Sequence, residues 1–218
     1  MTFAARVVSL LALALATACG GSSGGEGATQ PSASPTPPPS PTVQVLELGK
    51  SDLALEAGTV ASPAGFEPAL TFEVPDGWSS VHRYADAFDV GVADPASDGP
   101  LVVVTFSLAP ERDARAALAA VAHRQPKAKV RAGAGNLLGA DVDRLDLVGG
   151  DGPAYSSRDS TLALDAAPGQ TLHFLATDTA DAAGSALVVG VLMAANSGPA
   201  EQRLADALVD SGRLADPA

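Results

Sequence analysis

The three histidines, His82, His123 and His173, are the side chains of this 218-residue chain best suited to acid–base chemistry. A catalytic triad joins a nucleophile, a base and an orienting group, and no serine lies in the strand–turn–helix setting of a G-x-S-x-G nucleophile elbow. His123 is predicted at the end of a helix, as a surface residue. His173 alternates with Leu172 and Phe174 along a predicted strand, so we expect it to face solvent or a helix edge. The sequence therefore predicts no catalytic residue.

A row of carboxylates, Asp141, Asp143 and Asp146, is the nearest approach to a metal site. An EF-hand loop needs an oxygen ligand at its fifth position and glycine at its sixth, and Leu145 and Asp146 stand there instead. Strand alternation places Asp141 and Asp143 on one solvated face. No H-E-x-x-H occurs, and a single cysteine cannot build a cysteine-based zinc site. We expect no metal and no cofactor, with weak calcium binding by the three aspartates as the open alternative.

Gly133, Gly135 and Gly139 form G-x-G-x-x-x-G, which is one residue longer than the dinucleotide fingerprint. That fingerprint requires a helix N-terminus after the glycines, whereas the following segment 141–148 is predicted to be a strand. We therefore expect these glycines to form a flexible hairpin loop.

The only cysteine, Cys19, stands at the end of an export signal. Arg6 supplies a positive start, residues 7–15 are an apolar run, and residues 16–18 are small. An apolar run this short fits a signal peptide, because a membrane-spanning helix needs about 20 residues. We therefore expect residues 1–18 to be removed. An ordinary secretory signal with a chance cysteine behind it is the alternative.

The segment around Cys19 resembles the lipobox of bacterial lipoproteins, although Ala16 stands where that pattern usually has leucine. In that family a diacylglycerol thioether forms on the cysteine, and cleavage, here between Ala18 and Cys19, makes the cysteine the new N-terminus. Two acyl chains, such as palmitate, anchor a protein stably where one would be marginal. The resemblance implies lipidation at Cys19 and attachment to the outer face of a bacterial cell membrane.

The composition divides the rest of the chain into a tether, 19–42, and one globular domain, 43–218. Behind Cys19 the tether is Gly/Ser-rich and then Pro-rich, so it cannot bury a core and is predicted to be disordered. The formal net charge of -12 makes nucleic-acid binding improbable, because a polyanion needs clusters of Lys and Arg.

The domain is predicted to be α+β, an antiparallel sheet with two helices packed on one of its faces. Apolar residues recur at helical spacing from Ala114 to Ala122, and Pro126 ends that segment. A second helix is expected from Pro199 to Gly212. The predicted strands are 43–48, 70–74, 88–92, 101–108, 141–148, 161–164, 171–176 and 187–194.

A motif in the first part of the domain resembles a segment of exported actinobacterial lipoproteins, "aGtY…F-x-P-x-l-t-f-t-v-P-d-G-W". Here it reads LEAGTV and then FEPALTFEVPDGW, within residues 55–78, with Val60 in place of the tyrosine. We interpret Phe72, Pro75, Gly77 and Trp78 as a structural anchor, a strand end and tight turn holding a buried tryptophan. The order of elements is also similar to the PsbP-like sandwich of LpqN-type lipoproteins.

These resemblances imply an envelope protein and no catalytic residue. The leading interpretation is a membrane-anchored cell-envelope lipoprotein whose domain binds a protein partner or an apolar ligand without chemistry. An envelope hydrolase with an unrecognised site and a structural spacer domain are the alternatives.

Overall fold

Alternating apolar residues along the strands build two facing sheets, and a helix lies on each side of the larger one. The domain is mixed α+β, as predicted: 51% of the described residues lie in strands and 18% in helices. The computed structural model describes residues 42–49, 53–93, 100–111, 113–123, 129–148, 169–179 and 185–215. All of them belong to one compact unit, residues 40–218. Cys19, most of the tether and the predicted strand 161–164 lie outside the described residues.

Twelve strands and two helices follow one another in the described residues. The helices are α1 (Ala114–His123) and α2 (Pro199–Ser211). The strands are β1 (Gln44–Val45), β2 (Leu53–Ala54), β3 (Gly58–Ala61), β4 (Leu70–Val74), β5 (Ser79–Arg83), β6 (Ala87–Ala93), β7 (Pro100–Ala109), β8 (Lys129–Leu137), β9 (Ala140–Val148), β10 (Thr171–Asp178), β11 (Ala186–Met193) and β12 (Arg213–Leu214). No helix in the described ranges is long and apolar enough to cross a membrane.

The larger sheet has eight strands in the order β2-β5-β6-β7-β11-β10-β9-β8, each antiparallel to its neighbours. The smaller sheet has the order β1-β3-β4-β12, and its β1 runs parallel to β3. Sequence alternation predicted the long strands. The predicted strand 43–48 contains β1, whereas β2, β3, β5, β8 and β12 were not predicted, because short strands show little period and glycines are depleted in strands.

Four phenylalanines join the two sheets. Phe72 of β4 stacks on Phe88 of β6 and Phe106 of β7, with ring centroids 5.6 and 5.2 Å away. Phe88 and Phe106 are cross-strand partners whose centroids lie 5.0 Å apart, and Phe66 meets Phe88 edge-on at 5.1 Å. All four are at most 1% exposed. Offset stacking and edge contacts of this kind add to the free energy gained by burying the rings.

The PDGW turn holds its tryptophan in the same core. Gly77 has φ +83°, a conformation that glycine adopts without steric penalty, and it reverses the chain after β4. Trp78 is 3% exposed, so the prediction of a buried tryptophan is confirmed. Val60, in the place of the motif's tyrosine, is fully buried and packs in this core as well.

The two helices lie on opposite faces of the larger sheet, so the expectation that both cover one face is wrong. Leu187 and Val189 of β11 share a core with the phenylalanines and α2. Val188 and Leu192, which point the other way, pack against α1. Side chains alternate across a strand, and both sets are buried because both faces of the sheet are covered.

The hairpin between β8 and β9 docks on the end of α2. Leu138, with φ +56°, and Gly139, with φ +77°, form its two-residue turn. The backbone N–H of Leu138 donates to the carbonyl of Val209 (3.4 Å), and that of Gly139 donates to Asp210 Oδ1 (2.9 Å). Left-handed backbone is costly for leucine, so these contacts hold the turn against α2.

The first described segment, 42–49, is tied to the larger sheet by a buried arginine. Arg83 is 3% exposed, and its Nε donates to the carbonyl of Glu47 at 3.0 Å. Its own carbonyl accepts the N–H of Gly49 at 3.4 Å, and Leu46 is buried in the core. The predicted tether therefore meets the folded domain where the N-terminal segment is fastened to β5.

Replacing Phe88 by alanine removes the ring that contacts the other three phenylalanines, and we expect it to lower the free energy of unfolding by about 3–5 kcal/mol. Urea unfolding, followed by the fluorescence of Trp78, measures this loss. Leu204→Ala is the control, because Leu204 is 43% exposed and its loss is expected to change stability by only about 0.5 kcal/mol. Equal losses in the two variants would contradict the assignment of the phenylalanines as the core.

Candidate functional site

A polar cleft of about 300 Å³ opens between strands β9 and β10 and the first turns of helix α2. It combines a cation, a carboxylate, an imidazole and amides, whereas the surrounding core is apolar. The side chains of its polar lining are Arg144, Asp146, Gln170, Thr171, His173 and Gln202.

Strand register brings the charged residues and the imidazole together. Arg144 and Asp146 are two residues apart on β9, so both side chains point to the face covered by α2. His173 of β10 lies directly opposite Asp146. Residues opposite each other in an antiparallel pair have Cβ atoms about 4.5–5.5 Å apart. The cleft is therefore built by alternation and pairing, which the sequence alone does not reveal.

Arg144 and Asp146 form an ion pair with one short contact, Nε to Oδ1 at 2.6 Å. The side chains are 33% and 25% exposed, so the pair adds little to stability. Its consequence is orientation: the bond through Nε fixes the plane of the guanidinium. Within the described part of the chain Arg144 makes no other hydrogen bond, which leaves its two Nη groups for solvent or a ligand.

Two glycines of β8 make room beside this pair. A Cβ atom at Gly135 would lie within 3.6 Å of Arg144 Cδ and would collide with Leu175 Cδ2. A Cβ atom at Gly133 would lie 4.0 Å from Asp146 Oδ2. The predicted flexible loop is therefore wrong: Gly133 and Gly135 lie inside β8, and only Gly139 of the three lies in the turn.

His173 is buried, 4% exposed, so the expected solvent face is wrong, whereas the other expectation, a helix edge, agrees with its place in the cleft beside Gln202 of α2. The residue is shielded because the smaller sheet and α2 cover the second face of the larger sheet. Burial, and next the positive charge of Arg144, lower the pKa of His173 from 6.5 to about 4, although Asp146 opposes the shift. The imidazole is therefore neutral at neutral pH and can donate one hydrogen bond and accept another.

Positive charge gathers around the cleft in a chain whose net charge is -12. Arg131 of β8 lies opposite Asp146, on the other side from His173. Lys129 and Arg131 share the face of Arg144 by alternation, and both are exposed. Asp146 thus stands between two arginines, and this corner of the domain has a local excess of positive charge.

The predicted carboxylate cluster does not converge. Asp141 and Asp143 are exposed on the α1 face of β9, whereas Asp146 points to the α2 face. A shallow recess holds Asp141 and Asp143 with Asp178, whose Oδ1 already accepts the N–H of Ala114 (2.7 Å). No group of three His, Cys, Asp or Glu among the described residues is placed to hold a metal ion.

The remaining predicted residues are structural or lie elsewhere. Phe72 and Trp78 are core residues, and His123 is exposed at the end of α1. The side chain of His82, together with Ala18 and Cys19, lies outside the described residues. Sequence reasoning missed Arg144, whose spacing of two residues from Asp146 within a predicted strand was the available signal.

The chain matches no protein-family model and no curated protein sequence significantly.

The burial of neutral His173 makes stability depend on pH. The unfolded chain takes up a proton on this imidazole below its ordinary pKa of 6.5, whereas the folded chain does so only near 4. The free energy of unfolding should therefore have its full value above pH 6.5. It should fall as the pH approaches 4, by roughly 3 kcal/mol in total. Urea unfolding at a series of pH values measures the slope, which His173→Gln should flatten.

The exposed His123 supplies the matched control, because His123→Gln should keep the slope of the native chain. Hydrogen bonds from the N–H groups of Glu201 itself and of Gly198 lower the pKa of Glu201 from its ordinary value of 4.5. The contribution of Glu201 to the free energy of unfolding is therefore lost only below pH 4.5. Measurements between pH 5 and 7 isolate the histidine. Equal slopes for His173→Gln and the native chain would show that His173 does not carry the effect.

Proposed function

We propose that this chain is an exported lipoprotein, held at the outer face of a bacterial cell membrane through Cys19, whose domain binds a ligand or an envelope partner without chemistry. The export signal, the single cysteine at its end and the tether support this proposal. At the polyproline II rise of about 3.1 Å per residue, the segment from 20 to 42 would hold the domain up to roughly 70 Å from its anchor.

The polar cleft is the observation that supports binding. Arg144 is oriented by Asp146 with its Nη groups uncommitted, and the imidazole of His173 lines the same recess. Recesses with a few converging polar groups are the usual ligand sites of proteins. The charged and polar side chains lie beside Leu147 and Leu172, so the cleft favours a ligand with a polar group over the wholly apolar ligand that the sequence suggested.

The state of His173 favours binding over catalysis. A general base works best when its pKa lies near the working pH, and a pKa of about 4 makes His173 a weak base at neutral pH. An envelope hydrolase remains the second candidate, because His173 lies opposite a carboxylate, Asp146, which could orient its ring.

The resemblance of residues 55–78 to exported actinobacterial lipoproteins agrees with this proposal. In the domain that segment is structural: Phe72 and Trp78 belong to the core. The binding cleft therefore lies on elements that the motif does not include, β9, β10 and α2.

Lipidation is tested by Cys19→Ser in the full-length chain, expressed in a bacterial host that processes lipoproteins. The native protein should partition into the membrane and detergent fractions, with a mass increase of a diacylglyceryl group at Cys19. The variant should appear as an uncleaved precursor or as protein released from the membrane. Native protein that is soluble in the medium, with a free thiol at Cys19, would contradict the anchor.

The absence of chemistry is tested with panels of esterase, phosphatase and peptidase substrates. We expect no turnover above that of a preparation carrying His173→Gln, because the imidazole is a weak base in its buried setting. The exposed His123→Gln variant is the control for nonspecific loss. Turnover that disappears with His173→Gln and survives His123→Gln would favour the hydrolase.

A further inference from the structure

The cleft between β9, β10 and α2 presents a fixed guanidinium and a buried imidazole to the same small recess. We propose that it binds the carboxylate group of a small ligand, with the Nη groups of Arg144 and the ring of His173 as its partners. This rests on the proposed function, because it names the ligand class of the same site.

The ion pair prepares Arg144 for such a ligand. Guanidinium carries five N–H donors in one plane, and the contact of Nε with Asp146 Oδ1, at 2.6 Å, uses one of them. The edge formed by the two Nη groups matches the two oxygens of a carboxylate, which it can bind in a bidentate pair. Because Asp146 holds the side chain, less rotational freedom is lost when a ligand arrives.

His173 supplies the second contact. Its side chain is 4% exposed and lines the cleft, and no hydrogen bond of the imidazole is found among the described residues. Buried polar groups are almost always hydrogen-bonded, so an unpartnered ring in a recess indicates a ligand or a water molecule. A neutral imidazole can donate to a carboxylate oxygen without placing a charge in the buried site.

The balance of charge selects a monoanion. Lys129, Arg131 and Arg144 contribute three positive charges on this face, whereas Asp146 and the carboxylate of Asp206, which accepts a hydrogen bond from Gln202 (2.6 Å), remove two. The neighbours of His173 on the other sides are uncharged: Val191 on β11 and Gln202 on α2. A dianion such as phosphate would bring its second charge against Asp146, whereas one carboxylate matches the surplus.

Size points to a small molecule. A volume of about 300 Å³ lies at the lower end of ligand sites, which span about 300–1,000 Å³. The absent side chain of Gly133 leaves space beside Asp146, whereas the space above Gly135 is filled by Leu175 and Arg144. The hydroxyl of Thr171 lies in the lining to meet the rest of the ligand, whereas the amide nitrogen of Gln202 already donates to Asp206 Oδ1 at 2.6 Å.

Acetate is the probe, titrated into the full-length lipidated protein in an uncharged detergent, with chloride keeping the ionic strength constant. The protein carries three histidines, so selective ¹³C labelling gives few imidazole signals to assign. We expect a saturable shift of the His173 signal and none of the His123 signal. Bound carboxylate stabilises the imidazolium, so the pKa of His173 should rise from about 4.

Arg144→Met keeps much of the aliphatic part of the side chain and removes the guanidinium group. We expect it to weaken acetate binding about tenfold or more. Arg115→Met is its matched control, because Arg115 is exposed on α1, across the sheet, and should leave affinity unchanged. Asp146→Asn keeps an oxygen for Nε while removing the repelling charge, so acetate should bind more tightly. Thermal melting of each variant confirms folding.

No saturable shift at His173, or equal affinity in the Arg144→Met and native proteins, would overturn the carboxylate site. Phosphate that binds more tightly than acetate would overturn the choice of a monoanion. These outcomes leave the lipid anchor and the absence of turnover untouched, since those are measured by membrane partitioning and by the substrate panels. Failure of the ligand class is therefore distinguishable from failure of the proposed function.

Discussion

The stacking of Phe72 on the Phe88–Phe106 pair is the contact on which the rest of the domain depends. It joins the smaller sheet to the larger one, with ring centroids 5.6 and 5.2 Å apart. Neither sheet could bury its inner face alone, because an isolated sheet leaves one apolar side in water. The buried stripe of α2 belongs to the same core, so closing the sheets also places this helix beside β8 and the hairpin that docks on it.

The position of α2 then creates the cleft. Where the core ends, Gln202 from the start of the helix reaches the cleft, and the side chains of β9 and β10 change from apolar to polar: Arg144, Asp146 and His173. Gly135 of β8 also shapes this region, because Leu175 and Arg144 occupy the space that a side chain at this position would need. The G-x-G-x-x-x-G pattern resembles a loop or a nucleotide-binding fingerprint in the sequence. In the structure its Gly135 lies in the edge strand β8, where a larger side chain would not fit.

The positive charge around the cleft is compatible with the proposed location of the protein outside the cell. The chain as a whole is acidic, with a net charge of -12, and the corner formed by Arg131, Arg144 and Asp146 departs from that average. A local positive surplus in an acidic protein draws small anions to one place without attracting polyanions or an anionic membrane surface. Such a charge distribution suits the proposed binding of a small anion.

Much of this protein is readable from sequence because the relevant forces are local. Helical spacing in 114–122 and the turn chemistry of Pro75-Asp76-Gly77 each depend on near neighbours, so the helices and the PDGW turn could be predicted. The export signal before Cys19 is also read from a local pattern, and it stays a prediction. The long strands and the α+β class follow from alternation. The tertiary structure alone decided that the helices lie on opposite faces, that Gly133 and Gly135 belong to a strand, and that His173 is buried. Alternation assigns a residue to one side of a strand, but whether that side meets water depends on what packs there, and here both sides are covered.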